Sequence, residues 1–243
     1  MERGGETLTP KAAASALQWW VDAGVDTIVG EEPRDWLRSA PKPDAKAAPV
    51  PAAGEAAPDL PDQLELFQSY LRDHQDLPYS SPGARRVCPA GDPASGLMIV
   101  TDMPAAEDCS AGSLLSGEDG RLFDRMLGAI GRDRASIYLA SLSCLRSPDG
   151  RFTTAAAQQC TTLARHHIGL ACPKAVLLMG DASSKALLGL PMLKARGRWH
   201  EVATHAGPVK AIVTFPPSYL LDQQAAKAAA WADLQLLMQG LTE

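Results

Sequence analysis

The chain reads as an α/β protein, a three-layer α/β/α sandwich around a central, mostly parallel four-stranded sheet. Two observations predict this. Four short runs are almost wholly apolar: "GLMIV" (96–100), "SIYLA" (136–140), "KAVLLMG" (174–180) and "KAIVTF" (210–215). Strands apolar throughout are buried on both faces, as parallel strands are. Helical periods over 119–131, 153–170, 182–189 and 222–240 alternate with those runs, and strand–helix alternation is the mark of a parallel sheet covered on both sides. A weaker strand is expected around Trp199–Ala203.

Ahead of the sandwich the pattern differs. Ala16, Leu17, Trp20, Val21 and Ala23 fall at helical spacing before Gly24, predicting a short amphipathic helix over 13–24. The segment "VDTIVGEEPRDWL" that follows is too apolar for a linker. "APKPDAKAAPVPAAGEAAPDLP" (40–61) is nearly all Ala, Pro and small polar residues; it cannot bury enough surface to fold and reads as a semi-extended linker. Leu64, Phe67 and Leu71 then share one face of a further helix. The expected organisation is an N-terminal helical extension (1–39), a linker (40–61) and a sandwich domain (62–243).

Composition narrows the function classes. No run of eighteen apolar residues exists, so no membrane-spanning helix is expected, and the opening "MERGGETLTPKAAASALQWW" lacks the basic-then-apolar order of a secretory signal. A cytoplasmic protein is the expectation. Five widely spaced cysteines without a CxxC argue against a disulfide framework and a zinc ribbon. The net charge of −5 is uneven. Residues 1–83 hold 7 basic against 14 acidic side chains, and residues 84–243 hold 16 against 14. An acidic leader on a mildly basic domain permits nucleic-acid contact without demanding it.

In open parallel sheets ligands bind at the carboxyl ends of the strands. Four loops meet there: "TDMPAAED", "SLSCLRSPDGR", "GDASSKALLG" and "FPPSYLLD". In the third, Gly180, Ser183 and Lys185 open a helix whose backbone N–H groups suit an anion; a plain cap by Asp181 or Ser183 is the alternative. Arg146 and Arg151 flank a Pro-Asp-Gly turn and suit a phosphate clamp, or a merely solvated turn. "RGRW" offers Arg196 and Arg198 beside Trp199 for nucleic-acid backbone and base, or else a core tryptophan with arginines outside. Asp102 could activate water if it faces the cleft, although helix capping and loop fixing are commoner uses. His166, His167, His200 and His205 lack Cys or Asp partners at ligand spacing, and no nucleophile elbow supports a Ser-His-Asp triad.

With "VDAGVDTIVGEEP", "LFDRMLGAIGRDRASIYLA", "LLMGDASSKALLG", "ARGRW" and "YLL" occurring in that order, the chain resembles the family-4 uracil-DNA glycosylases, especially bacterial members with an N-terminal extension. The likeness runs from roughly Ser15 to Leu237, apart from the linker. It implies a sandwich that flips uracil out of DNA and hydrolyses its N-glycosidic bond. The departures concentrate in the working loops. The family opens its first loop with Gly-Glu-Ala-Pro-Gly or similar; here Asp102 replaces the acid, Met103 and Ala105 replace small residues, and Pro104 is retained. The family's stacking Phe falls on Leu115, its base-reading Asn on Ser141, and the His of its His-Pro on Pro216. "RSPDGR" keeps both arginines. The resemblance also implies an iron–sulfur cluster on four cysteines. Cys160 matches one ligand position, Cys144 lies one residue from another (Leu145), and the N-terminal pair is missing, so no cofactor is expected and the cysteines read as small buried apolar groups.

The leading expectation is therefore a glycosylase-fold pseudoenzyme: a DNA-binding or repair-associated protein with lost or much reduced uracil excision. It would contact DNA through Arg146, Arg151, Gly180, Ser183, Lys185, Arg196 and Arg198, around a vestigial base pocket of Met103, Pro104, Leu115, Ser141 and Pro216. Two alternatives stand beside it. One is an active glycosylase of altered base specificity working through Asp102. The other is a protein-interaction module that binds its partner through the N-terminal segment.

Overall fold

The structure is a computed structural model that describes residues 60–242. The helix expected over 13–24, the apolar segment after it and nearly all of the 40–61 linker lie outside the described residues.

Helix α1 (Leu64–Asp73) leads into a sheet of six strands: β1 (Ala90–Gly91), β2 (Leu97–Thr101), β3 (Tyr138–Ser141), β4 (Ala175–Met179), β5 (His200–Thr204) and β6 (Gly207–Thr214). Their order is β1-β3-β2-β4-β6-β5. The four strands expected from the apolar runs are the central, parallel ones, β3, β2, β4 and β6. Two antiparallel edges extend them to six. β5 is the weak strand expected near Trp199; it pairs with β6 across a tight turn in which the Thr204 hydroxyl donates to the Gly207 carbonyl at 2.6 Å. β1 is only two residues long, too short to carry any alternation that a sequence could display.

Alternation sorts the strand residues onto two faces. Met98, Val100, Tyr138, Val176, Leu178 and Val213 meet α4 (Thr154–Ala171) and α5 (Asp181–Leu188) through Cys160, Ile168 and Leu187. Leu97, Ile99, Leu139, Leu177, Met179 and Ile212 meet α3 (Gly117–Ala129) and α8 (Lys227–Thr242) through Phe123, Leu127, Leu234 and Leu237. This is the expected three-layer arrangement. Three short helices were not expected: α2 (Ala106–Ala111), α6 (Met192–Ala195) and α7 (Pro217–Asp222). The helix expected over 222–240 is α8, which begins at Lys227 after a 3-10 turn at Gln224–Ala226. None of the described helices is long and apolar enough to cross a membrane.

Helix α1 is fastened to the sandwich by a buried polar relay. The Gln68 amide donates to the Tyr138 phenol oxygen at 2.7 Å, and that phenol lies 2.8 Å from Nε2 of His167 on α4. With Gln68 donating in, the phenol proton goes to Nε2, which requires a neutral imidazole. Complete burial, aided by neighbouring His166, lowers the His167 pKa to about 3 from an ordinary 6.5. A folded-state pKa depressed in this way gives stability that is present above about pH 6.5 and lost as pH falls towards 3, because the unfolded chain takes up a proton that the folded chain refuses. His167→Gln keeps an acceptor without a titrating ring. Urea denaturation at pH 7 and pH 5 should show the wild type losing about 2 kcal/mol more than the variant over that interval; parallel losses would mean that His167 is not held neutral.

Candidate active site and nucleic-acid face

The four loops do meet at the carboxyl edge of the sheet, and one contact organises them. Asp102, the residue after β2, turns its carboxylate towards the start of α5. Oδ1 accepts from the Ser183 amide at 2.7 Å and Oδ2 from the Ala182 amide at 3.2 Å. The first amides of a helix have no intrahelical partner and carry its positive end, so an anion settles there. Gly180 makes room: it has φ +134, and a Cβ on it would stand 2.4 Å from the Asp102 carboxyl atoms. The amides of "GDASSK" that were expected to suit an anion are met by the chain's own Asp102. Burial pushes the Asp102 pKa up, the Ser183 amide and hydroxyl and the Ala182 amide pull it back, and nearby Asp181 adds a smaller rise.

Neither of the caps considered for α5 occurs as such. Asp181 Oδ1 instead accepts from the Met192 amide at 2.9 Å, at the start of α6, and its other oxygen pairs with Lys185 at 2.5 Å. The Ser183 hydroxyl donates back to the Gly180 carbonyl at 3.2 Å.

The second loop also satisfies itself. The Ser141 hydroxyl donates to the Ser143 carbonyl at 2.8 Å, and the Ser143 hydroxyl to the Leu145 carbonyl at 2.8 Å. Arg146 is exposed, but its guanidinium donates to the Pro104 carbonyl at 3.0 Å, tying the second loop to the first. Ser147 Oγ lies 3.7 Å from the Met103 sulfur and 3.1 Å from Asp149 Oδ1. Asp149 Oδ1 also accepts from the Arg151 amide at 3.1 Å, closing the turn. The Tyr79 hydroxyl donates to the Arg151 carbonyl at 3.2 Å and accepts from the Thr153 amide at 3.1 Å. The Arg151 side chain remains exposed.

Leu115, at the position where the resemblance puts a stacking ring, has φ +53 and is buried among Leu114, Phe123 and Leu127. Arg134 fixes it, donating to the carbonyls of Leu114 at 2.8 Å and Leu115 at 2.6 Å. Gly120 lets that loop close on α3, since a Cβ there would lie 2.1 Å from the Leu115 oxygen. Buried Asp108 accepts from the amides of Ala105 at 3.0 Å and Ser116 at 2.6 Å, which fixes α2 and the loop after it. Pro216 lies two residues past the end of β6 and directly precedes Pro217, the first residue of α7.

"RGRW" divides. Arg196 is only 14 % exposed and pairs with Asp233, itself 1 % exposed, through Nη2 at 2.6 Å and Nε at 2.8 Å. Its guanidinium also covers the Phe215 ring at 3.9 Å. Arg198 is exposed, and Trp199 is half-buried with its ring against Gly240.

Of the candidate residues, Asp102, Met103, Arg151 and Lys185 line one cleft of about 840 Å³ between α4 and α5, together with Phe152 and Gln158. Leu115, Ser141, Pro216 and Arg196 do not line it. The anchors Asp108, Arg134 and Asp233 were not read from the sequence. Only Asp108 had a local signal, standing three residues beyond the start of a short helix.

The iron–sulfur cluster implied by the resemblance can be tested against the donor set. Only Cys160 stands at a matched ligand position, Leu145 occupies the next and the N-terminal pair has no cysteine, so the donor set falls short of the four thiolates a cluster needs. Among the described residues no group of three or more His, Cys, Asp or Glu side chains could hold a metal ion. The residues present do not fit the cluster.

Two comparisons bear on identity. A family model described as the uracil DNA glycosylase superfamily matches residues 88–235. The Type-4 uracil-DNA glycosylase of Pyrobaculum aerophilum is 24% identical to this chain over 184 residues, covering 73% of this chain and 94% of that protein.

The Asp102–α5 contact predicts a coupling. Asp102→Ala should cost about 1–3 kcal/mol by leaving two helix amides without an acceptor. Gly180→Ala should be costly in the wild type and much less so beside Asp102→Ala, a non-additivity readable by chemical denaturation. Equal costs of Gly180→Ala in both backgrounds would show that the carboxylate does not occupy that space.

Proposed function

The chain belongs to the uracil DNA glycosylase superfamily, and on that premise we propose that it is a DNA-binding homologue in which uracil excision is lost or much reduced. The observation that carries the reading is the Asp102 carboxylate, both of whose oxygens are bound by backbone amides of α5. The two amides hold the carboxylate against the helix and oppose the rise in basicity that burial causes. The neighbouring positions support the same direction. Pro216 has neither a side-chain donor nor a backbone N–H to offer a leaving base, and one missing preorganised donor costs about 10²–10³ in rate. Ser141 is too short for a two-pronged contact with a base edge. Leu115 lacks a stacking face, a contribution of about 1–3 kcal/mol per base.

The DNA half of the proposal rests on what still faces outward. Arg151 and Lys185 border the cleft, with Phe152 beside them as an aromatic surface, and Arg198 is exposed on the "RGRW" segment. Arg146, Gly180 and Ser183 contribute by shaping the loops that carry these groups. Arg196, held by Asp233, falls outside the contact set. A cytoplasmic, repair-associated protein with an N-terminal extension (1–39), a linker (40–61) and a glycosylase-like domain (62–243) completes the reading, with the extension available to a protein partner.

A second reading, an active glycosylase of altered specificity, draws on one observation: Asp102 still lines the cleft wall. Incubation with uracil-, hypoxanthine- and xanthine-containing oligonucleotides followed by alkali separates the two. The proposal expects no strand scission above background; scission abolished by Asp102→Ala establishes the second reading. For binding, single-stranded DNA should associate with salt-sensitive affinity. Replacing both Arg151 and Lys185 by Ala should flatten the salt dependence by about 1.4 in slope, about 0.7 for each phosphate contact on a single strand. An unchanged slope would remove these two residues from the interface.

A further inference from the structure

We infer that an apolar clasp, without an iron–sulfur cluster, fastens the segment around 64–88 to the sandwich. The disagreement between the implied cofactor and the residues present has a positive side, because the place is filled by something else. Phe67 (0 % exposed), Leu71 and Leu77 pack with Cys144 and Leu145 in a single buried cluster. Leu145 occupies a position where the resemblance puts a ligand, and Cys144 packs there as an apolar group.

The clasp is locked by polar contacts that need no metal. Arg86 donates to the Leu71 carbonyl at 3.0 Å, the His74 carbonyl at 2.6 Å and the Ser80 hydroxyl at 3.0 Å, satisfying the open carbonyls at the end of α1. The Cys144 thiol reaches the same Leu71 carbonyl at 3.6 Å. The Val87 amide donates to the Cys144 carbonyl at 2.9 Å, bringing the far end of the segment onto the same loop. The space left beside Cys144 and Cys160 is a void of about 20 Å³ walled by Phe67, Leu71, Leu77 and His167. That is room for about one water and far too little for a cube of iron and sulfide.

The consequence is that α1 and the strap after it fold without iron, and that Cys144 and Cys160 remain inert thiols. The test uses the full-length protein, purified and then incubated anaerobically with ferrous iron, sulfide and a thiol reductant before desalting. The expected result is no retained iron or acid-labile sulfide, no visible charge-transfer band, and the same melting temperature before and after. Retention of iron in stoichiometric amount, about four per chain for a complete cluster, and its loss in Cys144→Ser or Cys160→Ser, would overturn the inference; so would a smaller stoichiometry with the same cysteine dependence. The clasp has its own readout. Phe67→Ala should lower the melting temperature by about 6–20 °C. Arg86→Gln, a milder change, should speed amide hydrogen exchange in 64–80 selectively. Wild-type melting in the first variant together with unchanged exchange in the second would equally overturn it.

Discussion

A single carboxylate at the start of a helix governs the working edge of this protein. Asp102 leaves β2 and meets the bare amides of α5, where the peptide dipoles present their positive end. The contact spans about eighty residues of sequence and joins the loops of two adjacent strands. It requires glycine at 180, because any side chain there would enter the volume of the carboxylate. Two of the carboxylate's acceptor positions are taken by helix amides, and the positive end of α5 meets the chain's own anion.

The same inward turn recurs around the edge. Ser141 and Ser143 bond to their own loop, Arg146 to the first loop, Arg134 to the Leu114–Leu115 backbone and Arg196 to Asp233. Each of these polar side chains could have met a ligand; each instead satisfies buried or half-buried backbone or charge, which is what a polar group does when nothing from outside does it for it. Arg151, Lys185 and Arg198 stay exposed. The apolar clasp at Phe67 and Leu71 follows the same course on the other side of the second loop, with packing in place of metal ligation.

How much of this the sequence displayed depended on the range of the interaction. The central strands were legible because both faces are buried, so burial appears as an unbroken apolar run, and the long helices were legible from their period. The β1 edge was not, since two residues carry no period. Neither was the start of α8, expected at 222 but found at Lys227 after a 3-10 turn. In the site, the readings at Leu115, Ser141 and Pro216 rest on the capacity of single side chains, which a sequence displays. The fate of Asp102 and Arg196 could not. Their partners lie 81 and 37 residues away, and nothing local distinguishes an arginine that pairs with a buried Asp233 from one that waits for a phosphate.

The central claim concerns the hydrogen-bonded state of two amides, and amide-resolved hydrogen exchange by NMR reads it directly. With Asp102 seated, the Ala182 and Ser183 amides should exchange slowly, although the first turn of a helix ordinarily leaves its N–H groups open to solvent. Asp102→Ala should release both while leaving the central strands protected. Fast exchange at 182 and 183 in the wild type would contradict the account, because it would mean that the carboxylate is free to face the cleft and a water.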